Sequence, residues 1–186
     1  GHEAYAFVCD VRSERSIIST KKKILEKCGT IDILINNASI TAFKSFIDTK
    51  PPEFDDIIET NLRGGYLMAR TVLPIMMKKK HGHIINILSV AAHTVFTNSS
   101  AYSASKAGML AMFNGLRAEV RKFNIKISNI MPGATDTPMW SPAVRQKSAN
   151  RMMTPREVAD ITYAVASQPK MVVIEDVIIK PIKGDL

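Results

Sequence analysis

Cysteine is scarce in this 186-residue sequence, limited to Cys9 and Cys28. Two thiols without metal-ligand spacing make neither a zinc site nor a disulfide framework. Reduced thiols in a cytoplasmic protein are the expectation, and no metal site is expected. No uninterrupted apolar stretch approaches the ~20 residues that span a bilayer. Nothing at the start reads as a signal peptide, so no membrane association is expected either. There is no internal repeat, low-complexity tract or linker, and the length suits one domain over residues 1–186 with a sizeable core.

Acidic residues are outnumbered, 17 against 25 Lys and Arg, for a net charge of +8. Part of the excess sits in Lys21-Lys22-Lys23 and Lys78-Lys79-Lys80. Each run lies within or at the end of an expected helix, where lysine covers a solvated face or offsets the carboxyl-end dipole. Aromatics are only 6% of the chain and none interleaves with these runs, so a nucleic-acid stacking platform is absent and no nucleic-acid partner is expected. A small anionic ligand suits the charge equally well.

What is present is an alternation of short apolar runs and longer amphipathic ones. Tyr5 to Cys9 reads as a strand, followed by a helix from about Ser13 to Cys28 closed by Gly29. Ile31 to Ile35 is a second strand; a helical region opens at Pro51-Pro52-Glu53 and continues to Met77. Strands are expected at His83–Leu88, Ile125–Met131 and Met171–Ile179, and helices at Ala101–Phe123 and from Thr154 onward. Strands apolar on both faces and alternating with helices point to an α/β domain, a doubly wound parallel sheet covered on both sides. Ligands bind such sheets beyond the carboxyl ends of the strands. Asp10, Asn36-Asn37, Ser89 and Pro132-Gly133 each follow a strand and fall on that edge. Ser141 to Met153 lacks periodicity and reads equally as a flap over a pocket or as a surface loop with a short helix.

Tyr102 and Lys106 are one helical turn apart, so both side chains leave one face. An ammonium beside a phenol favours the phenolate, and the expectation is a Tyr102 pKa lowered by Lys106. Such a phenol serves as a general acid/base without a histidine or a metal. With Ser89 upstream, the group can both move a proton and steady an oxygen.

Asp10-Val11, Asn36-Asn37-Ala38-Ser39, Asn61, Ser89, Tyr102-x-x-x-Lys106 and Pro132-Gly133-x-x-x-Thr137 together resemble the short-chain dehydrogenase/reductase family, in order and in spacing, over essentially the whole chain. The resemblance implies a Rossmann-type fold and an NAD(P)-dependent oxidoreductase that interconverts a carbonyl and a secondary alcohol. It makes Tyr102 the proton donor and acceptor, with Ser89 on the substrate oxygen. Lys106 acts on Tyr102 and on the nicotinamide ribose, and Asn61 anchors a relay water. It places Asp10 and Val11 at the adenine end and Asn37, Ala38 and Ser39 along the adenine ribose. Pro132, Gly133, Thr135 and Thr137 then face the nicotinamide. Ser39 stands where the family usually has glycine, and Thr135 where it usually has an aliphatic residue.

The family's opening strand, glycine-rich loop and helix, which cradle the pyrophosphate, have no counterpart in the sequence. A preceding βαβ unit of roughly 45–55 residues is therefore expected in the biological protein. Without one, the alternative is a non-catalytic binding or regulatory module on the same fold. The positions that choose between NADH and NADPH are not in the sequence, and basicity leans toward NADPH. Gly108, Ala111 and Gly115 form a small-residue stripe on the Tyr102 helix, and the resemblance implies a homodimer or homotetramer through it. The expected substrate is a small carbonyl or alcohol compound. Extended relatives such as epimerases fit poorly, because no substrate domain follows the last strand.

Overall fold

The computed structural model describes residues 3–186. Ser13 starts helix α1 (Glu14–Cys28) by accepting a bond from Ser16 N at 3.2 Å, and Gly29, in the left-handed region at φ 76°, ends it. Strand β1 (Ile33–Asn36) leads through a long loop to α2 (Pro51–Ile58). A single π-helical turn (Glu59–Arg63) joins α2 to α3 (Gly64–Lys79), so the expected long helix is interrupted by a widened turn. Then follow β2 (Gly82–Ile87), α4 (Ser100–Val120) and β3 (Ile125–Pro132). Short α5 (Pro142–Ser148), α6 (Pro155–Ala166) and β4 (Asp176–Ile179) complete the order. Thr154 and Glu157 close a capping box on α6.

The four strands are parallel in the order β1-β2-β3-β4. On one face Leu34, Ile84, Ile127 and Met131 pack with Val72 and Met76 of α3 and Met109 and Phe113 of α4. On the other, Ile85 and Ile130 pack with Val165 of α6. Parallel pairing requires these crossovers, and the helices supply the apolar stripes that the two-sided strands need.

Three expectations change. Tyr5–Cys9 forms no helix and belongs to no ladder among the described residues, and Val8 is 97% exposed. Its anchors are the Thr20 hydroxyl donating to Val8 O at 3.2 Å and Asp10 N donating to Ser16 Oγ at 3.0 Å. The last strand runs from Asp176, not from Met171; Val172 N instead donates to Pro169 O at 2.9 Å in a turn. Only β2 and β3 are buried on both faces; Ile33 and Ile35 of β1 are 46% and 49% exposed on the side that α6 does not reach.

The glycine stripe divides. A methyl group at Gly108 would come within 3.2 Å of Leu62 Cδ2, so this glycine admits the chain's own π-helical turn. Gly115 meets nothing within 4 Å and, like Ala111, lies on the exposed face of α4.

Candidate active site

Ser89 stands just beyond β2 in extended geometry and caps a short turn at Val90–Ala92, its hydroxyl accepting from Ala91 N at 3.1 Å. Tyr102 and Lys106 occupy the first turns of α4 and are 9% and 2% exposed. Lys106 Nζ donates to Ile87 O at 3.0 Å and lies 5.5 Å from the centre of the Tyr102 ring. The i, i+4 spacing thus carries the ammonium back to the end of β2, beside Ser89.

The electrostatics reverse one expectation. Burial pushes the Tyr102 phenol above its ordinary value, and the neighbouring Ser89 hydroxyl pulls in the opposite direction without overcoming it. Burial also lowers Lys106 to about 8. Desolvation disfavours both charged forms, and in so dry a setting it outweighs the benefit of an ammonium across the ring. Tyr102 is therefore held as a protonated donor at neutral pH.

Asn61, 1% exposed, lies in the π-helical turn. Its Oδ1 accepts from Ile40 N at 2.8 Å, and its Nδ2 donates to Ile40 O at 2.9 Å and to Ser105 Oγ at 3.0 Å. Ser105, fully buried, donates in turn to Tyr102 O at 2.7 Å. Sequence reasoning passed over Ser105; a serine between Tyr102 and Lys106 on the inward helical face is the signal that could have raised it.

A cavity of about 590 Å³ opens above the carboxyl ends of the strands. Nine of the expected residues line it: Asn37, Ser39, Ser89, Tyr102, Lys106, Pro132, Gly133, Thr135 and Thr137. Asn61 stands behind the wall as a brace, and Ala38 does not line the cavity. Asp10 and Val11 lie elsewhere. The Asp10 carboxylate takes Arg12 N at 2.9 Å and Arg12 Nε at 3.3 Å, bonds that hold it below the usual carboxylate range. Val11 packs on Gly64.

The 141–153 segment folds as α5 and a following turn. It is pinned at its carboxyl end, where Met153 N donates to Ala134 O at 3.0 Å and Asp136 N to Met153 O at 2.8 Å. Its residues Val144 and Ser148 form part of the cavity wall, with Met139 and Trp140 just before them. Among the described residues no group of three or more His, Cys, Asp or Glu is placed to hold a metal ion, and no helix is long and apolar enough to cross a membrane.

Comparison with known proteins places this geometry among relatives. A family model described as short chain dehydrogenase matches residues 1–148. A sepiapterin reductase of Chlorobaculum tepidum is 36% identical over 163 residues, covering 88% of this chain and 66% of that protein. The chain thus spans about two thirds of that relative's length. A metagenomic short-chain oxidoreductase solved in complex with NADP superposes with a TM-score of 0.83 at 30% identity, over 97% of this chain and 75% of that one. A short-chain dehydrogenase/reductase from Burkholderia xenovorans gives 0.86 at 26% identity, over 94% and 72%.

Proposed function

We propose that this chain, which belongs to the short-chain dehydrogenase family, carries the proton-transfer machinery of an NAD(P)-dependent oxidoreductase interconverting a carbonyl and a secondary alcohol. One observation carries the reading: a buried Tyr102 shares a cavity with Ser89 and Lys106.

The residues fit the nicotinamide end of a dinucleotide. Lys106 spends one of its three N–H groups on Ile87 O, leaving two for ribose hydroxyls. Ser39 also lines the cavity, and its hydroxyl is buried without a hydrogen-bond partner. When bound, the dinucleotide supplies or accepts the hydride.

In reduction, Tyr102 hands its phenolic proton to the substrate oxygen. Ser89 donates a hydrogen bond to the same oxygen and steadies the charge that develops on it. Lys106, charged at neutral pH, steadies the phenolate that this transfer leaves until solvent returns a proton to it. In oxidation the steps reverse, with Tyr102 as base. Similarity to the NADP-bound oxidoreductase and the +8 net charge both support the phosphorylated cofactor. A homodimer or homotetramer through the exposed face of α4 belongs to the same reading, and the mass in solution checks it.

The test is Tyr102→Phe in the full-length protein. Turnover of every carbonyl substrate is expected to fall at least about a hundredfold, the usual worth of a general acid. Unchanged circular dichroism would show that the fold survives. Retention of most activity would refute the role of Tyr102.

A further inference from the structure

Phe43 comes from the loop after β1 and Trp140 from the loop after β3, yet their rings stack with centroids 4.9 Å apart and planes 13° from parallel. Both line the cavity that holds Ser89 and Tyr102. Phe43 remains 46% exposed, so the pair presents uncovered aromatic surface. Phe96, Met139, Val144 and Val158 continue the same apolar wall.

The charged side chains of the lining are Lys106 and Asp185. Lys106 is committed to Ile87 O and to the chemistry of Tyr102, and Asp185 Oδ2 accepts from Lys180 Nζ at 2.7 Å. Among the described lining residues no cation is left over to pair with a phosphate or carboxylate on a substrate. Burying an unpaired anion against such a wall is costly, whereas a planar ring gains both area and stacking.

We infer that the substrate is an uncharged carbonyl compound bearing an aromatic ring, and that Phe43 and Trp140 form the surface on which this ring packs. The inference rests on the carbonyl–alcohol reading above and adds the substrate class and two residues that select it. A pair that merely fastened the two loops together would affect substrates of every shape alike.

The test compares 1-phenyl-1,2-propanedione with its cyclohexyl counterpart, which keeps the carbon skeleton and removes the aromaticity. In the full-length protein with NADPH, Phe43→Leu and Trp140→Leu are each expected to lower the phenyl-over-cyclohexyl ratio of kcat/KM by about fivefold to tenfold, chiefly through KM. Trp140→Phe is expected to preserve most of the ratio. Trp140 is also the only tryptophan in the sequence, so it reports binding directly. With oxidised dinucleotide present, the phenyl compound is expected to change its emission saturably, measured as the difference between the parent protein and Trp140→Phe. An unchanged ratio in both leucine variants, or phenyl turnover that saturates with no change in Trp140 emission, overturns the inference. The emission titration requires no turnover, so failure of the Tyr102 chemistry and failure of ring binding are read separately.

Discussion

Asn61 Nδ2 donates to Ser105 Oγ at 3.0 Å, tying the π-helical turn of one long helix to the helix that carries Tyr102 and Lys106. The same side chain grips Ile40 through both its N–H and its carbonyl, so the loop that holds Asn37 and Ser39 is fastened at the same point. Asn61 is thus a joint between three pieces of the site wall. Asn61→Leu removes these bonds and leaves buried donors and acceptors without partners. A loss of about 3 kcal/mol in unfolding free energy is expected, read from urea denaturation. A fall of roughly tenfold to a hundredfold in kcat should accompany it, since small misplacements of Tyr102 are expensive. A variant within about 1 kcal/mol of the parent would show that the joint carries no weight.

A second buried polar line crosses the sheet. Asn36, Asn86, Asn129 and Asp176 are partners in register on β1 to β4. Asn36 donates to Asn86 at 2.9 Å, Asn86 to Asn129 at 2.9 Å, and Asn129 to the Asp176 carboxylate at 2.8 Å. Arg117 of α4, 8% exposed, closes the line by donating to Asp176 at 2.9 Å. Burial acts to raise Asp176, but the bonds from Arg117 and Asn129 outweigh it and keep the carboxyl below its ordinary value. One strand slipping by one residue would break the whole series, so the line enforces register. Asp176→Asn takes from Arg117 the nearer of its two carboxylates, leaving Glu175 at 3.5 Å. The expected cost is about 2 kcal/mol, discounted from a fully buried pair because Asp176 is partly in water. Thermal unfolding of the full-length protein measures it; an unchanged Tm would refute the proposed role.

Much of this was legible in the residues. Runs such as His83–Leu88, apolar in four of six positions, announced strands buried on both faces, and the Thr154-Pro155-Arg156-Glu157 cap announced α6. The edge placement of Ser89 and Pro132-Gly133 followed, because a parallel sheet puts every strand's carboxyl end on one side. Other features depend on neighbours that one segment cannot show. Tyr5–Cys9 has strand composition, but a strand exists only through its partner, and none pairs with it among the described residues. The π-helical turn around Asn61 arises from what the side chain reaches, Ile40 and Ser105, rather than from local propensity. The direction of the Tyr102 shift was missed for a related reason. Spacing reveals an ammonium nearby, whereas burial is a property of the packed site.

His83 makes stability depend on pH. Burial, with smaller help from the charges of Lys126 and His81, lowers its pKa to about 4. Its Nε2 meets Ser128 Oγ at 2.8 Å, and because Ser128 gives its own proton to Ile174 O, the imidazole nitrogen is the donor. The folded protein keeps this ring neutral while the unfolded chain protonates it near its ordinary value. Stability is therefore full above about pH 6.5 and declines as pH falls toward 4, by about 3 kcal/mol for this group. Urea midpoints at about pH 7 and about pH 5 should differ in the parent and differ less in His83→Gln, which retains a donor but cannot take up the proton. Equal pH sensitivity in both proteins would assign the effect to other groups.

The directions of catalysis should separate on the pH axis. Burial holds Tyr102 above its ordinary value, so the phenol stays protonated through neutrality and serves as an acid there. Lys106 loses its charge at about 8, which withdraws the one cation that favours phenolate. Carbonyl reduction should then be flat at neutral pH and fall on the alkaline side. Alcohol oxidation, which needs the phenolate, should climb only where the phenol itself ionises, above its ordinary range. Lys106→Met removes the cation at every pH, so the alkaline fall in reduction near 8 is expected to vanish and the neutral-pH rate to drop to the parent's alkaline level. Rates in both directions for parent and variant provide the check. A reduction profile that keeps the parent's fall near 8 in Lys106→Met would mean that the ammonium does not act on the phenol, and the coupling between Tyr102 and Lys106 would have to be given up.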